Sequence, residues 1–176
     1  MIVREQHADD YEAIRNVYAE AFRRPRFRRP PNPGSVPPEV GLFEALWEAG
    51  DASPEFSFTA LTDGGVVGHV TASQATVATD PVVAMGPIGV LPEHQGMGIG
   101  SALMDALLAA ADVADVPLIV LLGAPQYYSR FGFRPAKEFG VISPQPDWGD
   151  GFQARPLTAY TESVAGRFQY ASAFSS

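Results

Sequence analysis

Gln95 is followed by glycines at positions 96, 98 and 100, with Met97 and Ile99 between them and Ser101 after them. Ahead of this group an apolar run, Ile88 to Leu91, is stopped by Pro92. Behind it an Ala/Leu-rich segment runs to about Ala114. Alternate glycines leave the backbone free to enter positive φ and remove every Cβ from one side of the loop. Several N–H groups can then converge on a point just ahead of a helix, at its positive end, which makes a cradle for an anion such as a phosphate or pyrophosphate.

Spacing narrows the choice of cradle. A Walker loop needs a lysine after its last glycine, and Lys137 is the only lysine in the chain. The G-x-G-x-x-G dinucleotide fingerprint fails in both frames, because Ser101 or Leu103 stands where its third glycine belongs. Gln95-x-x-Gly98-x-Gly100, directly after a strand ending Val-Leu-Pro, resembles the Q/R-x-x-G-x-G/A pyrophosphate loop of the GCN5-related N-acetyltransferase superfamily. A second motif follows in order, Leu121-Leu-Gly-Ala-Pro-Gln-Tyr-Tyr-Ser-Arg-Phe-Gly-Phe133. Paired with Gly-Pro-Ile-Gly-Val-Leu-Pro and a closing Tyr170 to Phe174 segment, it resembles the YhbS-like branch of that superfamily.

The resemblance implies an α/β (mixed α+β) acyl-CoA N-acyltransferase fold. Its central mixed sheet is strongly twisted, carries one bulged and splayed strand, and is flanked by about four helices. It also implies acetyl-CoA as cosubstrate, an amine as acceptor, and direct transfer between them in a ternary complex. Residues 1–176 would form a single domain, with a cofactor core at about 82–135 and an acceptor-side loop at about 23–38. Gln95, Gly96, Met97, Gly98, Ile99, Gly100 and Ser101 would hold the pyrophosphate. Backbone groups of Ile88, Gly89 and Val90 would pair with the pantetheine amides and polarise the acetyl carbonyl.

Acetyl transfer from a thioester to an amine also needs a stabilised leaving thiolate and a neutral attacking amine. Tyr128, four residues before the Gly132-Phe133 step, holds the position of the family's general-acid tyrosine. A phenol of pKa about 10 stays protonated at neutral pH and can donate to a thiolate. Tyr127 competes with it, since neighbouring helix positions point about 100° apart and one of the two can face the sulfur. Arg130 either reaches the cofactor's 3′-phosphate or caps its own helix. The base is not chosen by the sequence. The glutamate that several relatives carry early on the bulged strand is replaced by Ala84, and the asparagine before the tyrosine helix by Leu121. Water, Glu93, His69 or the C-terminal segment remain as candidates.

The elements that must position these groups read as follows. Residues 1–6 form a strand, and Asp9 or Asp10 caps a helix to about Phe22 with Ile14, Val17, Tyr18 and Ala21 on one face. A second helix spans roughly Pro38 to Glu48, with Val40, Phe43, Leu46 and Trp47 on its apolar side. Phe56–Leu61 and Val66–Val77 pair through a turn at Asp63-Gly64-Gly65, and Gly68 marks a bulge. The strand from about Val82 to Leu91 contains Gly86-Pro87, where a proline removes a ladder donor and so favours a bulge. Pro117–Leu122 reads as a buried parallel strand. Phe152–Leu157 and Gly166–Ala171 read as closing strands, and Trp148 either covers the acceptor site or packs at a loop.

Composition limits the alternatives. The 176 residues contain no cysteine, so a catalytic thiol, thiolate metal site and disulfide framework are absent from this sequence. His7, His69 and His94 form no ligand-spaced pair, and no metal is expected. The N-terminal residues lack an apolar stretch fit for a signal peptide and no run approaches a membrane span, so a cytoplasmic, membrane-free protein is expected. A net charge of -8 makes nucleic acid an unfavourable partner. Five of the twelve basic residues, Arg23, Arg24, Arg26, Arg28 and Arg29, crowd one proline-rich stretch. There they either recognise an acidic acceptor or line a solvated loop. A catalytically silent acyl-CoA sensor and an RNA-modifying toxin stay open as alternatives, as does the existence of a homodimer.

Overall fold

The computed structural model describes residues 1–23 and 36–170. Arg24, Arg26, Arg28, Arg29 and the end of the closing segment, including Phe174, lie outside the described residues. Helices flank a mostly antiparallel sheet, and the contacts divide the chain into two compact units. One comprises Met1–Thr71 with Pro87–Leu107, the other Ala72–Gly86 with Leu108–Ser176.

In the first unit, strand β1 (Ile2–Glu5) pairs antiparallel with β2 (Phe58–Thr62), which pairs antiparallel with the start of β3 (Gly65–Val77). Residues 87–90 of β4 (Asp80–Val90) belong here too, and Leu91 N–H donates to Val67 O at 2.8 Å. The β2/β3 register slips between Ala60 and Leu61, whose partners are Gly68 and Val66, so Val67 is the extra residue of a bulge. Helix α1 (Tyr11–Ala21) buries Ile14, Val17 and Tyr18, and helix α2 (Pro38–Ala49) buries Val40, Phe43 and Leu46. Proline at the first position and a left-handed Gly50 (φ 70°) punctuate α2. Arg15 Nε and Glu44 Oε1, 2.5 Å apart, tie the two helices.

One capping expectation changes. Asp10 stands ahead of α1, but its carboxylate makes no cap bond to that helix. Its oxygens instead take both Arg4 terminal nitrogens, at 2.7 and 2.9 Å, and the His7 N–H at 2.8 Å. The Arg4 guanidinium holds the Asp10 carboxyl below its usual range. The turn before α1 therefore stores its charge in an ion pair with β1.

In the second unit β3 residues Ala75–Val77 pair antiparallel with β9 (Gly166–Tyr170). Val83 and Ala84 of β4 pair parallel with Ile119 and Val120 of β5 (Leu118–Leu122). That parallel ladder ends at Ala84, two residues before Gly86 takes φ 141°. β4 nonetheless continues as one strand through Gly86-Pro87. β5 pairs antiparallel with β8 (Phe152–Pro156), which also pairs with β6 (Arg134–Pro135), while β7 (Val141–Ile142) runs parallel to β9. Helix α3 (Ile99–Val113) runs through the boundary between the two groups of residues, and helix α4 is the short segment Pro125–Tyr128. Val82, Ala84, Leu118, Val120, Phe152, Ala154 and Phe168 form the second unit's core. Trp148 packs against that core, with ring centroids 5.8 Å from Phe152 and 6.1 Å from Tyr170.

Candidate active site

The glycine loop has the backbone its sequence demands. Gly96 (φ 76°) and Gly98 (φ 83°) are left-handed, and a Cβ at either would meet no atom within 4 Å. Conformation, not space, therefore requires glycine at both. Gly100 differs: it is already inside α3. The α3 ladder begins with Ala102 N–H donating to Gly98 O at 3.0 Å, which leaves the amides of Ile99, Gly100 and Ser101 without intrahelical acceptors. Gln95, Gly96, Met97 and Gly98 are exposed, and Met97 keeps 67% of its surface. Gln95 does not point its amide into the cradle. Its Nε2 donates to Val90 O at 3.0 Å, closing the loop back onto the end of β4.

Ile99 anchors the loop by burying its side chain. It rests over Gly68, where a Cβ would lie 3.0 Å from Ile99 Cγ2, 3.1 Å from Leu103 Cδ1 and 3.3 Å from Gly89 O. Gly68, paired with Ala60 beside the bulged Val67, thus lets α3 approach the sheet closely, a seat for the helix where sequence alone signalled a bulge.

The segment Ile88–Val90 alternates as a strand should, with Ile88 and Val90 partly exposed and Gly89 buried. Gly89 faces the ring of Tyr18, whose Cδ1 would be 3.1 Å from any added Cβ. Tyr18 and His69 are both fully buried. Tyr18 Oη lies 2.7 Å from His69 Nδ1 and 3.0 Å from Pro87 O, and His69 Nε2 lies 2.8 Å from Gln6 Oε1. Burial pushes the His69 imidazole down to about 3. With both ring nitrogens engaged inside the core, His69 is withdrawn from the candidate bases. Glu93, in the turn after β4, is exposed.

Tyr128 ends α4, in the second unit. Its ring lies on Gly123: an added Cβ there would collide with Cε2 and come within 3.0 Å of Cδ2. Gly123 is held in turn, its N–H donating to Gly151 O at 2.9 Å and its carbonyl accepting from Gln153 Nε2 at 3.1 Å. Sequence gave no sign of Gln153, whose Oε1 is buried without a partner among the described residues. Burial pushes the Tyr128 phenol up to about 12, so it is protonated at any working pH. Tyr127 meets Tyr128 edge-on at 4.9 Å and carries the Arg130 guanidinium 4.7 Å over its ring. Arg130 is exposed and is not bonded to a helix carbonyl by any described contact. Ala84 and Leu121, where the family resemblance would place a glutamate and an asparagine, are buried in the core.

A groove of about 400 Å³ lies elsewhere, against α3 and the end of β8, lined by Leu108, Asp112, Arg155, Leu157 and Thr158. Its polar walls satisfy each other: Asp112 accepts from Thr158 N–H and Oγ1, and Arg155 donates to Phe131 O and Pro156 O. Among the described residues no group of three His, Cys, Asp or Glu side chains could hold a metal ion, and no helix is long and apolar enough to cross a membrane.

The acetyltransferase (GNAT) family profile matches residues 11–133, more than half of the chain and the whole of both motifs. The chain belongs to the GNAT acetyltransferase family. It is 33% identical over 113 residues to the uncharacterized N-acetyltransferase YjhQ of Escherichia coli K12, covering 61% of this chain and 62% of YjhQ. To the uncharacterized N-acetyltransferase YhbS of the same organism it is 30% identical over 97 residues, covering 54% of this chain and 58% of YhbS. The chain thus matches about three fifths of these curated relatives' lengths. The fold agrees with the crystal structure of E. coli YhbS in complex with CoA at a TM-score of 0.85, with 24% identity and 99% and 92% of the two chains covered. A GNAT acetyltransferase from Brucella melitensis in complex with acetyl-CoA superposes at a TM-score of 0.76, with 29% identity and 98% and 97% covered.

Proposed function

We propose that this GNAT chain moves the acetyl group of acetyl-CoA directly to an amine acceptor, without a covalent acyl-enzyme. The observation that carries the reading is the loop 95–101. Its two left-handed glycines and the open amides of α3's first turn suit a pyrophosphate, and a relative with 29% identity over nearly the whole chain holds acetyl-CoA. Bound acetyl-CoA would supply an activated thioester. Backbone amides of Ile88, Gly89 and Val90 polarise its carbonyl, and the amides of Gly96 to Ser101 hold its pyrophosphate, with Gln95 bracing the loop. Arg130 supplies positive charge for the 3′-phosphate.

Tyr128 is the group for the departing thiolate. A phenol held at about 12 is a weaker acid than a thiol of about 8.5, so it stabilises the thiolate by donating a hydrogen bond and does not complete a proton transfer to it. No buried side chain is offered for the base, so the amine loses its proton to water or arrives neutral. The arginines at 23–29 favour an acceptor bearing a carboxylate or phosphate. A protein acting on such a metabolite or peptide belongs in the cytoplasm.

Thiol release from acetyl-CoA, measured against a panel of neutral, acidic and basic amines, tests the proposal. Turnover that saturates in one amine class, acidic amines first, is expected. Ala84 in the glutamate position supports one competing reading, a silent acyl-CoA-binding module. Tight CoA binding with no thiol release across the panel would select it.

A further inference from the structure

Tyr18, His69 and Gln6 are brought together from α1, β3 and the residue after β1, although 51 and 63 positions separate them from one another in sequence. Three short polar contacts link them in a line that ends on β4: Gln6 to His69 Nε2 at 2.8 Å, His69 Nδ1 to Tyr18 Oη at 2.7 Å, and Tyr18 Oη to Pro87 O at 3.0 Å. A neutral imidazole carries one N–H and a phenol one O–H. One proton order fills all three contacts. It needs the Gln6 amide flipped from the orientation in which Oε1 faces Nε2, so that its NH₂ donates to Nε2, Nδ1–H donates to Tyr18 Oη, and Tyr18 O–H donates to the Pro87 carbonyl. The reverse order gives Nε2–H to the Gln6 oxygen and Tyr18 O–H to Nδ1, which leaves two oxygens facing each other at 3.0 Å with no proton between them. The same tyrosine also backs Gly89 with its ring. It therefore grips β4 on both sides of Ile88, by a hydrogen bond at 87 and by packing at 89.

We infer that Tyr18 is a positioning residue for acetyl transfer, fixing the Ile88–Val90 amides through Pro87 and Gly89, with His69 and Gln6 setting the direction of its hydroxyl. The inference rests on the proposed role of those amides in polarising the acetyl carbonyl. Tyr18 and His69 are fully buried, so their effect is on where the strand's donors point. Hydrogen-bond donors act on a developing oxyanion only when held in place, and misplacement by about 1 Å is worth roughly 100-fold in rate.

The test reads the acetyl carbonyl itself, so it does not depend on knowing the acceptor. Isotope-difference infrared spectra with ¹³C-labelled acetyl-CoA should show a lowered carbonyl stretch in the wild-type complex. In Tyr18→Phe the stretch should return toward that of free acetyl-CoA, while the dissociation constant changes by less than about 3-fold. Gln6→Glu gives Nε2 only an acceptor, so at a pH where nitrogen-15 spectra show its imidazole neutral it should force the reverse proton order and shift the stretch the same way. Nitrogen-15 spectra of the wild-type should show His69 protonated at Nδ1. An unaltered stretch in either variant that still binds acetyl-CoA, or a wild-type His69 protonated at Nε2, overturns the inference. A wild-type protein that does not bind acetyl-CoA overturns the acetyltransferase reading instead, which keeps the two failures apart.

Discussion

Gly68 and Ile99 meet so closely that one methyl group would separate them: a Cβ on Gly68 would stand 3.0 Å from Ile99 Cγ2. Gly68 lies beside the β3 bulge, and Ile99 is the first residue of α3 and part of the glycine loop. The loop's placement therefore depends on an absent side chain on a different element. Gly68→Ala should push the start of α3 outward by a few tenths of an ångström, at a cost of about 1–3 kcal/mol in stability for overpacking. Acetyl-CoA affinity should fall by more than the stability loss alone predicts, roughly 5- to 10-fold, since the amides of the first turn move with Ile99. Calorimetric titration at a temperature where the variant is folded checks this, and an unchanged affinity would separate the helix seat from the cradle.

Gly98→Ala isolates the loop's conformation from its space. Nothing lies within 4 Å of the added methyl, so the whole penalty comes from φ 83° and amounts to about 1–2 kcal/mol. Melting should drop accordingly, and acetyl-CoA binding should weaken wherever the loop relaxes out of the left-handed region. Gly41→Ala, inside α2 where an added Cβ likewise meets no atom within 4 Å, should instead be favourable, by up to about 1 kcal/mol. Paired melts of the two variants check the contrast.

Tyr128→Phe removes one hydroxyl and keeps the ring on Gly123. Turnover should fall by about 10²-fold, the lower range for losing a positioned donor, with the acetyl-CoA dissociation constant within about 2-fold of wild type. Steady-state kinetics beside direct titration would expose the opposite pattern, weaker binding with intact turnover, and that pattern would assign Tyr128 to packing. Gly123→Ala should reproduce part of the kinetic loss by displacing the ring.

Acid should unfold the protein through His69 before it reaches the carboxylates. Its folded value of about 3 lies below the unfolded value of about 6.5, so between these the unfolded chain takes up the proton first. The stability is present above about pH 6.5 and is lost as pH falls toward 3, with a limiting slope of about 1.4 kcal/mol per pH unit. Asp10, lowered chiefly by its hydrogen bond from Arg4, adds a loss of the same sign at lower pH, around and below the ordinary carboxylate value. Thermal melts between about pH 8 and pH 4 should show Tm falling below about pH 6.5, and His69→Gln should flatten that upper part of the curve. A wild-type Tm that is level from neutrality down to about pH 4.5 would contradict the buried neutral imidazole.

Much of this was legible in the sequence because it is local. The α2 face of Val40, Phe43 and Leu46, the turn at Asp63-Gly64-Gly65, the buried run Leu118–Val120 and the glycines at 96 and 98 each announce themselves within a few residues. Gly86-Pro87 likewise locates where β4 leaves its parallel ladder. What stayed hidden is held by distant partners. Nothing in the α1 pattern distinguishes Tyr18, which looks like one more apolar position, from a tyrosine bonded to His69 and Pro87. Asp10 reads as a cap until Arg4 is seen to take its carboxylate. Gln153 and Gly123 become a seat for Tyr128 only after β8 is laid beside β5. The division into two compact units has no local signal either, because Thr71/Ala72 and Gly86/Pro87 fall within strands.

Thermal unfolding of the wild-type chain in acetyl-CoA, CoA, NAD and ATP, run side by side, tests the central claim most directly. A ligand at about 100 times its dissociation constant adds about 2.7 kcal/mol. For a domain of this size that raises Tm by roughly 5–11 °C. The loop at 95–101 predicts that shift with acetyl-CoA and CoA and none with NAD or ATP. A shift with NAD or ATP and none with either form of CoA would contradict it.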